Sequence, residues 1–291
     1  MRRRVMITGA AGQLGFELQR AAPAGTEILA LDIEQLDLTD AAAVEACVAE
    51  QQPSLIINCA AYTAVDQAES QPDQAEAVNV TAVKALATAA KQHKARMIQI
   101  STDFVFGSGN GVPWTPSDLT DPQSVYGRTK RDGERAVLDA LGSNALVIRT
   151  AWLYSAHGGN FVKTMLRLMA ERDEVRVIAD QIGTPPWASA FAHTIWAAVE
   201  QPAATGILHW TDAGVASWYD FAVSIQEEAL ARGLLTGAVP VHAIPTSAYP
   251  TPARRPSYSV LDKSETTRVL GITPPHWRAN LRLMLDEMVN A

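Results

Sequence analysis

The chain has 291 residues, 47% hydrophobic and 19% charged, with a net charge of −7 at neutral pH. That is enough apolar chain for one large domain or two unequal ones. The acidic balance excludes the basic footprint of a nucleic-acid binder, and no stretch approaches the ~18 apolar residues of a membrane span. The start MRRRVMITGAAG has the charged head of a signal peptide, but Gly9 and Gly12 end the apolar run too early for one. Cys47 and Cys59 lack metal spacing and lie in apolar segments, as reduced core residues of a cytoplasmic protein do. The six histidines are scattered and suggest no metal site.

Strands and helices alternate from the first residues. RVMIT (4–8) reads as a buried strand and QLGFELQRAA (13–22) has helical periodicity. EILAL (27–31) is a second strand, followed by a helix through AAAVEACVAE that Thr39 or Asp40 can cap. LIIN (55–58), a long helix over 76–92, RMIQIS (96–101), a helix holding VYGRTK (125–130) and ALVIRT (145–150) continue the pattern. Strands separated by helices of this length predict parallel crossovers, hence an α/β fold with a Rossmann-type doubly wound parallel sheet. After Thr150 prolines become frequent and elements shorten, with helical patterns at about 160–171, 188–200, 218–232 and 277–288. We expect a dinucleotide-binding domain over 1–150 and a smaller mixed substrate lobe over 151–291, with segments such as 188–200 free to return to the first sheet.

The first strand ends in TGAAGQLG, which places Gly9, Gly12 and Gly15 directly before a helix. A tight turn there lets backbone N–H groups and the helix N-terminus approach a diphosphate. Asp32 closes the second strand, where a carboxylate accepts hydrogen bonds from the adenosine ribose. Its charge repels a 2′-phosphate, Ala10 offers no cation, and Arg2–Arg4 lie at the far end of the first strand, so these residues favour NADH.

RMIQISTDFVF carries the fourth strand to Ser101, Thr102 and Asp103, where parallel strands present a ligand crevice. The chain then returns as the helix bearing Tyr126 and Lys130, one turn apart on one face. A phenol with its usual pKa near 10 is a poor proton donor at neutral pH, and a neighbouring ammonium or cationic nicotinamide lowers that value. Thr102 can hold a substrate carbonyl oxygen, while strand alternation turns Ser101 away. Arg254 and Arg255, in PARRP (252–256), suit a diphosphate by their forks; a salt bridge to an acidic residue is the alternative.

The G-x-x-G-x-x-G spacing, STDFVFGSGNG and VYGRTKRDGE together resemble the extended short-chain dehydrogenase/reductases that act on nucleotide sugars. NCAAYTAVDQAES, RTAWLY, NFVKTMLRL, DQIGTP and AYPTPARRP extend that resemblance nearly end to end, to the dTDP-4-dehydrorhamnose reductase family. It implies reduction of the 4-keto group of dTDP-4-dehydro-β-L-rhamnose, the last step of dTDP-rhamnose synthesis, with hydride delivered to C4 and Tyr126 protonating the oxygen. It also implies cofactor contacts at Gly12, Gln13, Leu14, Asp32, Asp37, Leu38, Ala61, Tyr62, Thr63, Tyr126 and Lys130, and sugar contacts at Thr102, Asp103 and Trp152. The family is commonly described with NADPH, so with Asp32 the expectation is use of both NADPH and NADH.

Related 4,6-dehydratases carry Thr-Asp-Glu where this chain has Phe104, which transfers no proton. Three alternatives stay open: an epimerase that retains its cofactor, a reductase making another deoxyhexose such as 6-deoxy-L-talose, and a non-catalytic regulatory subunit. Intact Thr102, Tyr126 and Lys130 speak against the last. Some members form Mg²⁺-linked homodimers through glutamates. Glu17 matches one such position, but Ser189 replaces an acidic side chain there, and a neutral hydroxyl is a poor ligand for a hard cation. Monomer and homodimer both remain open.

Overall fold

The computed structural model describes residues 3–109 and 111–290; Met1, Arg2, Asn110 and Ala291, including the Arg2 of the basic start and the Asn110 of STDFVFGSGNG, lie outside the described residues. The first half runs β1 (Arg4–Thr8), α1 (Gln13–Arg20), β2 (Glu27–Leu31), α2 (Ala41–Gln51), β3 (Leu55–Asn58), α3 (Val65–Ala68), α4 (Pro72–Glu76), a π-helical turn (Ala77–Thr81), α5 (Ala82–Gln92), β4 (Arg96–Thr102), α6 (Val125–Leu141) and β5 (Ala145–Thr150). The second half runs α7 (Phe161–Glu171), β6 (Val175–Ile178), β7 (Ile182–Gly183), α8 (Ala188–Glu200), β8 (Gly206–His209), β9 (Ala216–Ser217), α9 (Trp218–Leu230), β10 (Val241–Ile244), α10 (Ser264–Leu270) and α11 (Trp277–Val289).

Six parallel strands form the central sheet in the order β2-β1-β3-β4-β5-β8. Val5, Met6 and Ile7 of β1 and Ile56 and Ile57 of β3 are fully buried, as strands covered on both faces require. Leu14 and Leu18 of α1 and Phe191, Ile195 and Trp196 of α8 cover one face, and Val44, Val83, Leu86 and Val137 cover the other. The order reverses between β1 and β3, so the crevice beyond their carboxyl ends is the ligand position of such a sheet.

Asp40 caps α2, accepting from the N–H groups of Ala42 and Ala43, both at 3.0 Å. Thr39 turns to Asp37 instead. The helix expected over 76–92 is interrupted by the π turn, which places Asn79 in the interior. There its side chain accepts from the Tyr62 N–H at 2.9 Å and donates to the Tyr62 carbonyl at 3.1 Å. Such turns are frequent where a helix must reposition one side chain.

The second half is not confined to its own lobe. Helix α8 packs on α1, and β8 joins the central sheet beside β5, a strand that periodicity does not reveal. Helices α7, α9 and α11 and strands β6, β9 and β10 surround a separate core of Tyr154, Val162, Met165, Phe221, Trp277 and Leu281, while Val269 and Leu270 of α10 pack on the first. Two small pairings complete it, β6 with β10 in parallel and β7 with β9 antiparallel. Among the described residues no helix is long and apolar enough to cross a membrane.

One ion pair joins α6 to the sheet. Arg149 of β5 donates to both carboxylate oxygens of Glu134, at 2.9 and 2.7 Å, and both residues are 2% exposed. Arg149→Met leaves Glu134 buried and unpaired, and we expect unfolding in urea to show a loss of about 3–5 kcal/mol. Arg167→Met breaks an exposed pair with Glu171 on α7 and is expected to cost under about 1 kcal/mol in the same assay.

Candidate active site

A cleft of about 790 Å³ opens at the carboxyl ends of β1, β3 and β4. Its floor is the glycine loop. Gly9 has φ of +67°, and a Cβ there would lie 2.6 Å from the Ala60 nitrogen; one at Gly15 would lie 2.2 Å from the Gly9 oxygen. The loop therefore closes tightly only without side chains. Gly12 precedes the first turn of α1 with no side-chain cap, which leaves that turn's N–H groups for a ligand. Asp32 accepts from the Ala11 N–H at 2.8 Å through one oxygen and from the Ile33 N–H at 2.8 Å through the other. Each oxygen retains lone-pair capacity for a ribose hydroxyl. Gln13, Leu14, Asp37, Leu38, Ala61, Tyr62 and Thr63 also line the cleft. Hydrogen bonds from Thr39 hold the Asp37 carboxyl below its usual pKa.

Thr102, Tyr126 and Lys130 share this cleft and are all nine-tenths buried or more. The Gly127 between the last two explains part of VYGRTK, since a Cβ there would lie 2.1 Å from the Phe104 carbonyl oxygen. Helix α6 thus presses onto the turn after β4, and the Phe104 ring meets Tyr126 edge-on at 5.5 Å. Lys130 Nζ donates to the Ile100 carbonyl at 2.7 Å, pinning the ammonium at the end of β4. Thr102 donates to Asp103 Oδ1 at 3.0 Å and accepts from the Phe104 N–H at 3.2 Å. Ser101 also borders the cleft, but its hydroxyl is committed to Glu134 at 2.5 Å.

The electrostatics of this trio differ from the sequence expectation. Burial pushes the Tyr126 phenol up to about 12, opposed by the neighbouring Thr102 hydroxyl and reinforced by the Asp103 charge. Burial also lowers the Lys130 ammonium, to about 8, against the pull of Glu134 and Cys59. Asp103 is pushed up to about 6 by burial, with hydrogen bonds from Ser259 and Thr102 opposing the shift.

Trp152 lines the cleft with φ of +40°, a left-handed conformation that is strained for a bulky side chain. Its ring stacks on Trp218 at 3.6 Å. Asp103 adjoins the trio but lies behind Thr102 rather than on the cleft wall. The two arginines are not brought to the cleft: Arg255 is paired with Asp66 at 2.6 Å and Arg254 is exposed. Asn58 is structural, accepting from Thr8 at 2.7 Å and donating to Gln99 at 2.8 Å. Cys59, expected in the core, lines the cleft, and so do Gly158 and Gly159, which were not singled out. The Gly-Gly pair soon after RTAWLY was the available signal for the last two.

The closed glycine loop, the free helix terminus and Asp32 fit a dinucleotide. Mg²⁺ does not fit at Glu17. That carboxylate accepts from the Ser155 hydroxyl at 2.7 Å, and the cation beside it is the Arg20 guanidinium, which also reaches Glu287. Among the described residues no group of three or more His, Cys, Asp or Glu could hold a metal ion.

The family model described as RmlD substrate binding domain matches residues 3–290. The chain is 40% identical to the dTDP-4-dehydrorhamnose reductase of Escherichia coli (strain K12), covering 98% of this chain and 97% of that one. It is 42% identical to a Streptomyces antibioticus protein named "Probable dTDP-4,6-dihydroxy-2-methyloxan-3-one 4-ketoreductase", over 99% and 96% of the two chains. The solved structure of dTDP-4-dehydrorhamnose reductase from Bacillus anthracis in complex with NADP superposes with a TM-score of 0.92 at 35% identity, over 99% of this chain and 100% of that one.

Between about pH 4 and pH 6 folded Asp103 keeps a proton that the unfolded chain releases, so its contribution to stability is lost as pH rises through that window. Asp103→Asn does not titrate. Urea unfolding at pH 4 and pH 7 is expected to shift the stability difference in the variant's favour at the higher pH, by at most about 3 kcal/mol. No shift would mean that the folded carboxyl is already ionised at pH 4.

Proposed function

The chain belongs to the RmlD substrate binding domain family, and from that premise we propose that it reduces the 4-keto group of dTDP-4-dehydro-β-L-rhamnose to give dTDP-L-rhamnose, using NADPH or NADH. The observation that carries the reading is the convergence of Thr102, Tyr126 and Lys130 on the cleft floored by the glycine loop. The same reading divides the labour: residues 1–150 hold the dinucleotide, 151–291 the nucleotide sugar, and 188–209 return to brace the first sheet.

The reduced nicotinamide, when bound, supplies the hydride. Gly9, Gly12 and Gly15 with the α1 N-terminus cradle the diphosphate, Asp32 takes the adenosine ribose, and Asp37, Leu38 and Ala61–Thr63 complete that pocket. Thr102 holds the sugar's carbonyl oxygen beside the Tyr126 phenol. A phenol pushed up to about 12 stays protonated at neutral pH, which suits a group that must give a proton to a developing alkoxide. As that proton leaves, the Lys130 ammonium, fixed by Ile100, offers the compensating positive charge. Trp152 borders the sugar, with Asp103 behind Thr102. Every group named comes from one chain, which is compatible with a monomer and with a homodimer.

A reductase for a different nucleotide-linked keto sugar is the second reading, supported by the name of the Streptomyces antibioticus relative. A non-catalytic role has no comparable support, since the three reactive side chains are present and buried together.

Oxidation of NADPH and NADH followed at 340 nm, with dTDP-4-dehydro-L-rhamnose made in situ, tests the proposal. Turnover is expected with both, and Tyr126→Phe is expected to lower kcat by about 10²–10⁴-fold. Folded protein that binds dinucleotide yet turns over neither would sink the assignment and send the search to other keto sugars. In the same assay Asp32→Ala is expected to raise KM for NADH about tenfold and KM for NADPH by less, because only the second carries a phosphate that the carboxylate repels. An unchanged ratio would remove Asp32 from cofactor choice.

A further inference from the structure

The loop after β5 crosses back over the glycine loop, and its contacts there are numerous and specific. The Ser155 hydroxyl donates to Glu17 of α1 at 2.7 Å. Asn160 Nδ2 donates to Gln13 Oε1 at 3.0 Å and to the Ser155 carbonyl at 2.6 Å, while its Oδ1 caps α7 by accepting from the Lys163 N–H. His157 stacks flat on Phe16 of α1, with centroids 4.0 Å apart and planes at 8°. Its Nε2 lies 2.9 Å from the Ala11 carbonyl oxygen, so that nitrogen carries a proton and donates. Between these anchors Gly158 and Gly159 form part of the cleft wall.

From this geometry we infer that residues 155–160 are a strap by which the second half of the chain fixes the glycine loop, and that His157 is a positioning residue for the dinucleotide diphosphate. Ala11 is held at both ends: its N–H by the Asp32 carboxylate at 2.8 Å and its carbonyl by the His157 imidazole at 2.9 Å. A loop that binds an anion through backbone N–H groups is harmed when a peptide turns and points its carbonyl oxygen at the negative charge. With Asp32 and His157 engaged, the peptides on either side of Ala11 cannot turn without breaking a hydrogen bond. Asn160 holds the side chain of Gln13, the first residue of α1, and so ties the strap to the helix start. The cradle is therefore ordered before the ligand arrives, which removes part of the ordering cost of binding.

This inference rests on the dinucleotide reading of the cleft, and the experiment separates the two. Full-length wild type, His157→Ala, His157→Gln and Asn160→Ser are titrated with NADPH and with NADH by nucleotide fluorescence, and KM and kcat are then measured. His157→Ala is expected to weaken binding about five- to tenfold, the loss of one net hydrogen bond, with the change falling on KM rather than kcat. His157→Gln, whose amide N–H reaches the position of Nε2, is expected to return within about twofold of wild type. Asn160→Ser keeps a capping oxygen for α7 and gives up the two amide N–H bonds without adding charge beside the diphosphate, so it provides an arm that survives if the alanine variant fails to fold; it too is expected to bind weakly. Binding by His157→Ala within twofold of wild type, or a glutamine variant as weak as alanine, would overturn the strap inference alone. Wild-type protein that binds neither dinucleotide would instead overturn the functional reading.

Discussion

Helix α6 stands where it does because of a carboxylate buried one turn beyond Lys130. Glu134 receives two hydrogen bonds from Arg149 of β5 and one from Ser101 of β4, so a single side chain fastens α6 to the two strands whose ends form the reactive wall. The Arg149 guanidinium lies over the Phe106 ring at 5.0 Å and beside His209 of β8, whose imidazole burial and the Arg149 charge keep neutral, at about 3. A cation and an anion this deep are costly to desolvate, and such a pair contributes geometry more reliably than stability. Here the geometry is the register of Tyr126 and Lys130 against Thr102. Glu134 also raises the Lys130 pKa against its burial, so the structural anchor keeps the ammonium charged at neutral pH.

That coupling makes sense of a phenol pushed up and an ammonium pushed down within one cleft. A low phenol pKa would suit proton abstraction from an alcohol, the oxidative direction. A buried phenol at about 12 is a reservoir of one proton, released only when a stronger base develops beside it. The alkoxide formed by hydride addition to a ketone is such a base. In the proposed reaction the charge left on Tyr126 would share the cleft with the Lys130 ammonium, both largely buried, where attraction between opposite charges is stronger than in bulk solvent.

Much of this was legible along the chain because it is local. The glycine spacing, the acidic residue closing β2, the Thr102–Asp103 step at the end of β4 and the Tyr126/Lys130 turn each depend on neighbours within about one element. What was not legible depends on long-range closure. Strand β8 is four residues of ordinary composition, and only pairing with β5 makes them part of the sheet. The fate of Arg255 turned on Asp66, which is 189 residues away in sequence. The π turn could not be read because its cause, the need to bring Asn79 to the Tyr62 backbone, lies outside the helix. The left-handed backbone of Trp152 is likewise imposed from outside, by the Trp218 ring and the tight approach of Gly183.

The division into two halves at Thr150 is therefore a statement about sequence texture more than about mechanics. Helix α8 covers α1, β8 extends the sheet, and the segment after β5 lies over the glycine loop. A protein with separable lobes would hold its dinucleotide with the first and offer the sugar with the second, and their relative motion would blur the distance over which hydride must pass. In this chain the second half grips the loop that floors the cofactor pocket and also supplies Trp152 beside the reactive wall. Both partners of the hydride transfer are then referred to one connected body, and the spacing between them is set by packing rather than by a hinge.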